Sequence, residues 1–374
     1  MKIVIDGRLW TETGPGRYIR NLVWNLQKID GYNEYFVLLL KKDFERVELS
    51  GNFHKVLADF RWYTVAEQLR LPKIIKEVNP DLVHFPHFNV PLLYRGKYIV
   101  TIHDLIHHHF QMKRATTHNL LIYKIKTIGY KRAFRTAVKK SAAIAVPSEF
   151  VKTQLVGEYK VKREKITVTY EGVEESLVNL LHQVKDKEFK KVSRKLNFAK
   201  PYFFYVGNAH PHKNLPRLIN AFNRFRQSHP NFWLVLAGPE HSFWQQIKKE
   251  HIAENVIFAG YVSDRELVAL YRNAEAFITA SREEGFGIPL LEAMACGCPV
   301  ISSNSASLPE VGGNTVLYFD PLKEDEMVSS MEKLTSDNKL RKMLIKEGLQ
   351  RSKLFSWKKM ARETLEVYQK AIDS

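Results

Sequence analysis

The chain has 374 residues, 45% of them apolar and 26% charged, with 18 Gly and 15 Pro. That is enough for about two domains with sizeable cores, and it excludes collagen-like, low-complexity and disordered chains. Lys and Arg exceed Asp and Glu by 57 − 40 = +17, an excess that points to an anionic partner and says nothing about the fold.

Short β-rich runs alternate with segments of helical period along the chain, and most of the runs lack polar alternation, as strands covered on both faces do. The first series is Lys2 to Asp6, Tyr35 to Leu40, Asp81 to Phe85, Tyr98 to His103 and Ala142 to Pro147. The second is Tyr202 to Gly207, Phe232 to Gly238, Val256 to Ala259, Ala276 to Ala280 and Pro299 to Ser302. Such alternation predicts α/β domains with parallel sheets and right-handed crossovers. We read residues 1–180 as a first domain, 181–200 as a lysine-rich linker and 201–355 as a second domain. Residues 356–374 read as an amphipathic helix that can pack on the first domain.

A strand from Lys2 leaves no room for a leader, and no run nears the ~18 apolar residues that span a bilayer. Cys296 and Cys298 are too few for a disulfide framework or a four-thiolate zinc site. The expectation is a cytoplasmic chain.

Ligands of open parallel sheets bind at the carboxyl ends of strands, so the loops there carry the chemistry. Gly14-Pro15-Gly16 precedes a helix from Tyr18 and suits either a close phosphate approach or a plain glycine turn. His103-Asp104 ends a strand, where a histidine can contact substrate or serve as a hydrogen-bonded structural residue. The run His103 to His107 echoes a zinc-protease pattern, but with Asp for Glu and on a strand end instead of a helix face. From Val206 to Asn214, Gly207 and Lys213 suit a diphosphate by close backbone approach and a fixed cation, although solvated loop lysines are common. The richest loop runs from Ser281 to Val300. There Gly285 and Gly287 leave the N–H groups of Phe286 to Ile288 uncovered, Pro289 suits a first helical turn, and Glu292 follows one turn later.

Between Leu105 and Ser148 the basic residues Lys113, Arg114, Lys124, Lys126, Lys131, Arg132, Arg135, Lys139 and Lys140 occur without an Asp or Glu. Apolar residues interleave them, as in a basic amphipathic helix. Lys124, Lys126, Lys131, Arg132 and Arg135 are candidates for an anionic membrane surface on the inner face of the membrane. A solvated face is the second reading and nucleic acid the least supported, with no RNA-binding aromatic motif or zinc finger present.

These residues resemble the retaining glycosyltransferases of family 4 along essentially the whole chain. The resemblance rests on Gly14-x-Gly16, Val100-Thr101-Ile102-His103-Asp104, Val146-Pro147-Ser148, Val206-Gly207 through Lys213-Asn214, Glu284-Gly-Phe-Gly through Glu292, and Phe355-Ser356-Trp357. It implies a GT-B fold, with two doubly wound Rossmann-like domains facing a central cleft. It implies catalytic roles for His103, Lys213 and Glu284. A nucleotide-sugar donor would be held by Gly14, Gly16, Asn208, His212, Lys213, Glu284, Gly285, Phe286, Gly287, Ile288 and Glu292. The acceptor would be a glycan or a lipid-linked glycan, with no metal and no cofactor, since no Asp-x-Asp loop is identifiable. The wording Gly-Asn-Ala-His-Pro-His-Lys-Asn looks most like mannosyltransferases, and hence GDP-mannose. Two positions depart from the pattern. Relatives often carry Arg where Asn208 or His212 stands, so that one fixed positive charge on the diphosphate is either missing or supplied by His212, and they often have Asn-Gly where this chain has Glu171-Gly172. A non-catalytic nucleotide-sugar or polyanion-binding protein on the same scaffold is the alternative.

Overall fold

A computed structural model describes residues 1–110, 120–250 and 254–373, with backbone alone over 120–128. The described residues form two compact units. One draws on Met1–Leu105, Lys113–Glu171 and Trp357–Ser374, the other on Ile106–Met112 and Gly172–Ser356. The division falls at Glu171/Gly172, and the stretch expected to be a linker instead contains a helix, Asp186–Leu196, in the second unit. Phe189 and Val192 are its buried stripe. Two buried apolar residues among so many lysines give too thin a period to read in the sequence.

In the first unit, β1 (Lys2–Asp6), β2 (Glu34–Leu39), β3 (Phe53–Leu57), β4 (Leu82–Phe85), β5 (Tyr98–Thr101), β6 (Ala143–Val146) and β7 (Ile166–Val168) form one sheet in the order β3-β2-β1-β4-β5-β6-β7. Every pairing is parallel. β4, β5 and β6 are buried at every position, which explains their unbroken apolar runs. The order reverses between β1 and β4, so the loops leaving these two strands diverge and open a crevice. Helix Gly14–Ile29 starts earlier than the sequence reading placed it, taking the Gly14-Pro15-Gly16 turn into its first residues. The C-terminal helix Trp357–Asp373 belongs to this unit. Its Tyr368 hydroxyl bonds Nδ1 of the buried His84 at 2.8 Å, and His84 Nε2 meets the Thr101 hydroxyl at 2.8 Å.

In the second unit, β8 (Tyr202–Val206), β9 (Trp233–Ala237), β10 (Val256–Gly260), β11 (Ala276–Thr279), β12 (Val300–Ser303) and β13 (Leu317–Phe319) stand in the order β10-β9-β8-β11-β12-β13, again all parallel. The order reverses between β8 and β11. The loops after these two strands are the ones that carry Lys213 and Glu284.

Candidate active site

The loop leaving β8 turns through Asn208, whose side-chain Oδ1 accepts the His210 amide at 3.2 Å and whose carbonyl accepts the Tyr205 hydroxyl at 2.6 Å. A single 3-10 turn, Pro211–Lys213, then points the Lys213 side chain back toward the strand ends. The neighbouring β9 loop comes so close that a Cβ on Gly238 would lie 1.9 Å from the Gly207 carbonyl oxygen, so glycine is required there. The loop leaving β11 is joined to the β8 loop by the Arg282 amide, which donates to the His212 carbonyl at 2.7 Å. Between them, Lys213 Nζ lies 2.5 Å from Glu284 Oε1, with both side chains largely buried.

Three serines that the sequence reading did not single out fix this carboxylate. Ser281 donates its hydroxyl to Glu284 Oε1 at 2.7 Å, Ser303 bonds the Ser281 carbonyl, and Ser307 caps the carbonyls of Glu284 and Phe286 at 3.0 and 2.9 Å. Burial works against the Glu284 charge, but Lys213 and the Ser281 hydroxyl outweigh it and hold its pKa below the usual carboxylate value. Gly287 then sits at φ 105°, a left-handed conformation suited to glycine, and releases the chain into helix Ile288–Ala295. The first N–H groups of any helix lack an intrahelical acceptor and favour negative charge, and here Gly287 and Ile288 supply the head of that helix. Phe286 turns its ring inward, edge-on to Phe355 at 5.7 Å, and anchors the loop. Glu292, on the same helix, is buried, and the Tyr271 hydroxyl donates to its Oε2 at 3.2 Å.

His212 differs from expectation. It is buried, and burial together with the adjacent Lys213 pushes its pKa down to about 3. It is therefore a neutral imidazole, which removes one of the two sequence alternatives, a second cation from His212, and leaves the other, a missing charge. A helical turn at Ile106–His109 belongs to this unit as well. His109 Nδ1 contacts both oxygens of Glu283 at 2.8 and 2.9 Å. Phe110 follows, its ring 5.8 Å from that of His212 and 5.2 Å from the Arg282 guanidinium. Nothing in the sequence pairs these residues, because the contacts join segments far apart along the chain.

Asn208, His212, Lys213, Glu284, Gly285, Phe286, Gly287, Ile288 and Glu292 thus all belong to the loops and helix at the β8 and β11 ends of the second unit. Gly14, Gly16 and His103 belong to the first. A Cβ on Gly16 would lie 2.6 Å from the carbonyl oxygens of Leu9 and Trp10, so packing within the unit accounts for that glycine, whereas Gly14 faces open space. His103 follows β5 with its ring edge-on to Tyr18 at 4.9 Å. Lys131, Arg132 and Arg135 are exposed on helix Leu120–Lys140, where with Thr136, Lys139 and Lys140 they line a shallow surface groove. The side chains of Lys124 and Lys126, and all of Lys113 and Arg114, lie outside the described residues.

Comparison with known proteins sets this geometry in context. The fold is that of the GT-B glycosyltransferases: Anabaena HepE, solved in complex with UDP-glucose, superposes with a TM-score of 0.74 at 17% identity over 99% of both chains. The family model for glycosyl transferases group 1 matches residues 186–351, and that for glycosyltransferase family 4 matches residues 13–177. The Salmonella typhimurium O-antigen chain mannosyltransferase RfbU is 30% identical over 275 residues, 73% of this chain and 70% of its own. The Escherichia coli O-antigen chain mannosyltransferase B is 24% identical over 319 residues, 82% and 78% of the two chains. The chain belongs to the group 1, family 4 glycosyltransferases, and it is a glycosyltransferase.

Proposed function

We propose that this enzyme transfers mannose from GDP-mannose, with retention of anomeric configuration, to a glycan or lipid-linked acceptor in cell-surface polysaccharide synthesis of the O-antigen kind. The relatives that support the sugar and the pathway are both O-antigen mannosyltransferases. The observation that carries the reading is the 2.5 Å contact between Lys213 and Glu284 at the point where the strand order reverses.

Lys213 and Glu284 satisfy each other's charge. An incoming sugar diphosphate offers Lys213 a stronger anion, and the Glu284 carboxylate is then released to accept hydroxyl groups of the transferred sugar. The N–H groups at the head of the Ile288–Ala295 helix add to the field on the departing diphosphate, while Glu292 accepts the ribose hydroxyls. Asn208 and neutral His212 offer hydrogen bonds rather than charge. His103 acts at the transferred sugar, and a departing phosphate oxygen takes the proton of the attacking hydroxyl, so no side-chain base is assigned. With positive charge supplied by protein groups, the reaction is expected to need no metal.

The test is incubation of the purified chain, in EDTA, with radiolabelled GDP-mannose or UDP-hexoses and an acceptor extract. Transfer of label from GDP-mannose is expected. Transfer from a UDP-sugar alone, or transfer that stops in EDTA and returns with a divalent ion, would overturn the donor or the metal assignment respectively.

A further inference from the structure

His103 and Glu171 meet at the carboxyl ends of β5 and β7. Pro86 presents a carbonyl oxygen 2.9 Å from His103 Nε2. A carbonyl only accepts, so Nε2 carries a proton. Glu171 Oε1 stands 3.4 Å from Nδ1 on the other side of the ring, with side-chain exposures of 8% for Glu171 and 16% for His103. A carboxylate also only accepts. Were Nδ1 bare, its lone pair would face the carboxylate charge at close range in a largely dry setting, so the arrangement is favourable only with Nδ1 protonated too.

We propose that Glu171 is a positioning residue that holds His103, the histidine to which the proposed reaction assigns a role at the transferred sugar, as a doubly protonated imidazolium. The neighbours are consistent with that charge. Besides Glu171, Asp104 adds a favourable negative charge next in sequence, and Tyr18 packs edge-on against the ring. His84, an imidazole that interacts with His103, is buried and neutral between Tyr368 and Thr101, so it does not compete for a proton. Burial pulls the His103 pKa down, but Glu171, Pro86 and Asp104 together raise it above the ordinary histidine value.

The charge has a purpose in this chain. His212 is held neutral and Asn208 carries no charge, so Lys213 is the one cation that the β8 loop offers among these positions. An imidazolium at His103 favours departure of an anionic leaving group. With both ring nitrogens engaged, His103 offers a ligand its charge and its ring face.

The value of this charge rests on the proposed sugar transfer, but its existence does not, and the experiment separates the two. Long-range ¹H–¹⁵N spectra of the full chain labelled in histidine, with His103 assigned through His103→Asn, read the protonation of each ring nitrogen directly. At pH 7.5 the wild-type ring should carry both protons. In Glu171→Gln it should lose one with a midpoint near the ordinary value of about 6.5. In parallel, kcat/KM for GDP-mannose should stay flat from pH 6 to 8 in the wild type. In Glu171→Gln it should fall about tenfold as pH rises across that range, and Glu171→Asp should restore the flat profile. A neutral His103 in the wild type at pH 7.5, or a Glu171→Gln profile parallel to the wild type, overturns the proposal. Absence of any transfer by the wild type would count against the reaction, leaving the spectra to decide Glu171.

Discussion

Three histidines show how burial and neighbours set the charge of one side-chain type. His84 is walled in by hydroxyls and its pKa sits at about 3, because burial, aided by the nearby His103 charge, disfavours its cation. His212 reaches about 3 through burial and Lys213. His103, less buried than either, goes the other way because Glu171 faces it. The consequences for stability have opposite signs. Between pH 6.5 and 3 the unfolded chain protonates positions 84 and 212 while the folded chain does not, so each costs about 1.4 kcal/mol per pH unit as pH falls. His103 contributes stability that is fully present below about pH 6.5 and is lost as pH rises through its raised folded value. Urea midpoints should therefore fall between pH 7 and 5, and His84→Gln should flatten the part of that fall that belongs to the first unit. Equal slopes in the wild type and His84→Gln would refute the assignment of a neutral His84. In the sequence the three residues are indistinguishable, since each lies in or just beyond an apolar strand and its partners come from distant segments.

At the scale of elements, what could be read depended on position in the sheet. β1, β4, β5, β6, β8, β9 and β11 are apolar almost throughout because helices cover both faces, and each was visible as an unbroken run. β3, β7 and β13 were not. All three are edge strands, two have only three residues, and β3 exposes His54, Lys55 and Leu57. An edge strand is half solvated, so its sequence carries little pattern. The basic helix Leu120–Lys140 was legible by composition, and its described half exposes Lys131, Arg132, Arg135, Lys139 and Lys140. No described helix is long and apolar enough to cross a membrane. If this face docks on anionic lipid, the chain should sediment with vesicles containing phosphatidylglycerol at low salt. Exchanging Lys131, Arg132 and Arg135 for Glu should release it, since each basic side chain near such a surface is worth about 1 kcal/mol. Equal sedimentation of the variant, or none by the wild type, would remove the membrane from the proposal.

For the molecule as a whole, the contact between Lys213 and Glu284 was the readable part of the candidate site. Lys213 and Glu284 are 71 residues apart in sequence, yet each stands in a loop just past a strand, and parallel sheets bring such loops to one edge. The supporting shell was not readable. Ser281, Ser303 and Ser307 are ordinary residues until the fold sets Ser281 on the Glu284 carboxylate and the other two on backbone carbonyls of its loop, and the His103–Glu171 pair joins loops that no local motif connects. The assignment as a sugar-transferring enzyme with a protein-based cation at the diphosphate is tested most directly by transfer rates of purified, folded Lys213→Ala and Glu284→Ala. Each variant should lose about a hundredfold or more in kcat with GDP-mannose, the scale on which charge-stabilising groups act. Turnover near the wild-type rate in either variant would contradict it.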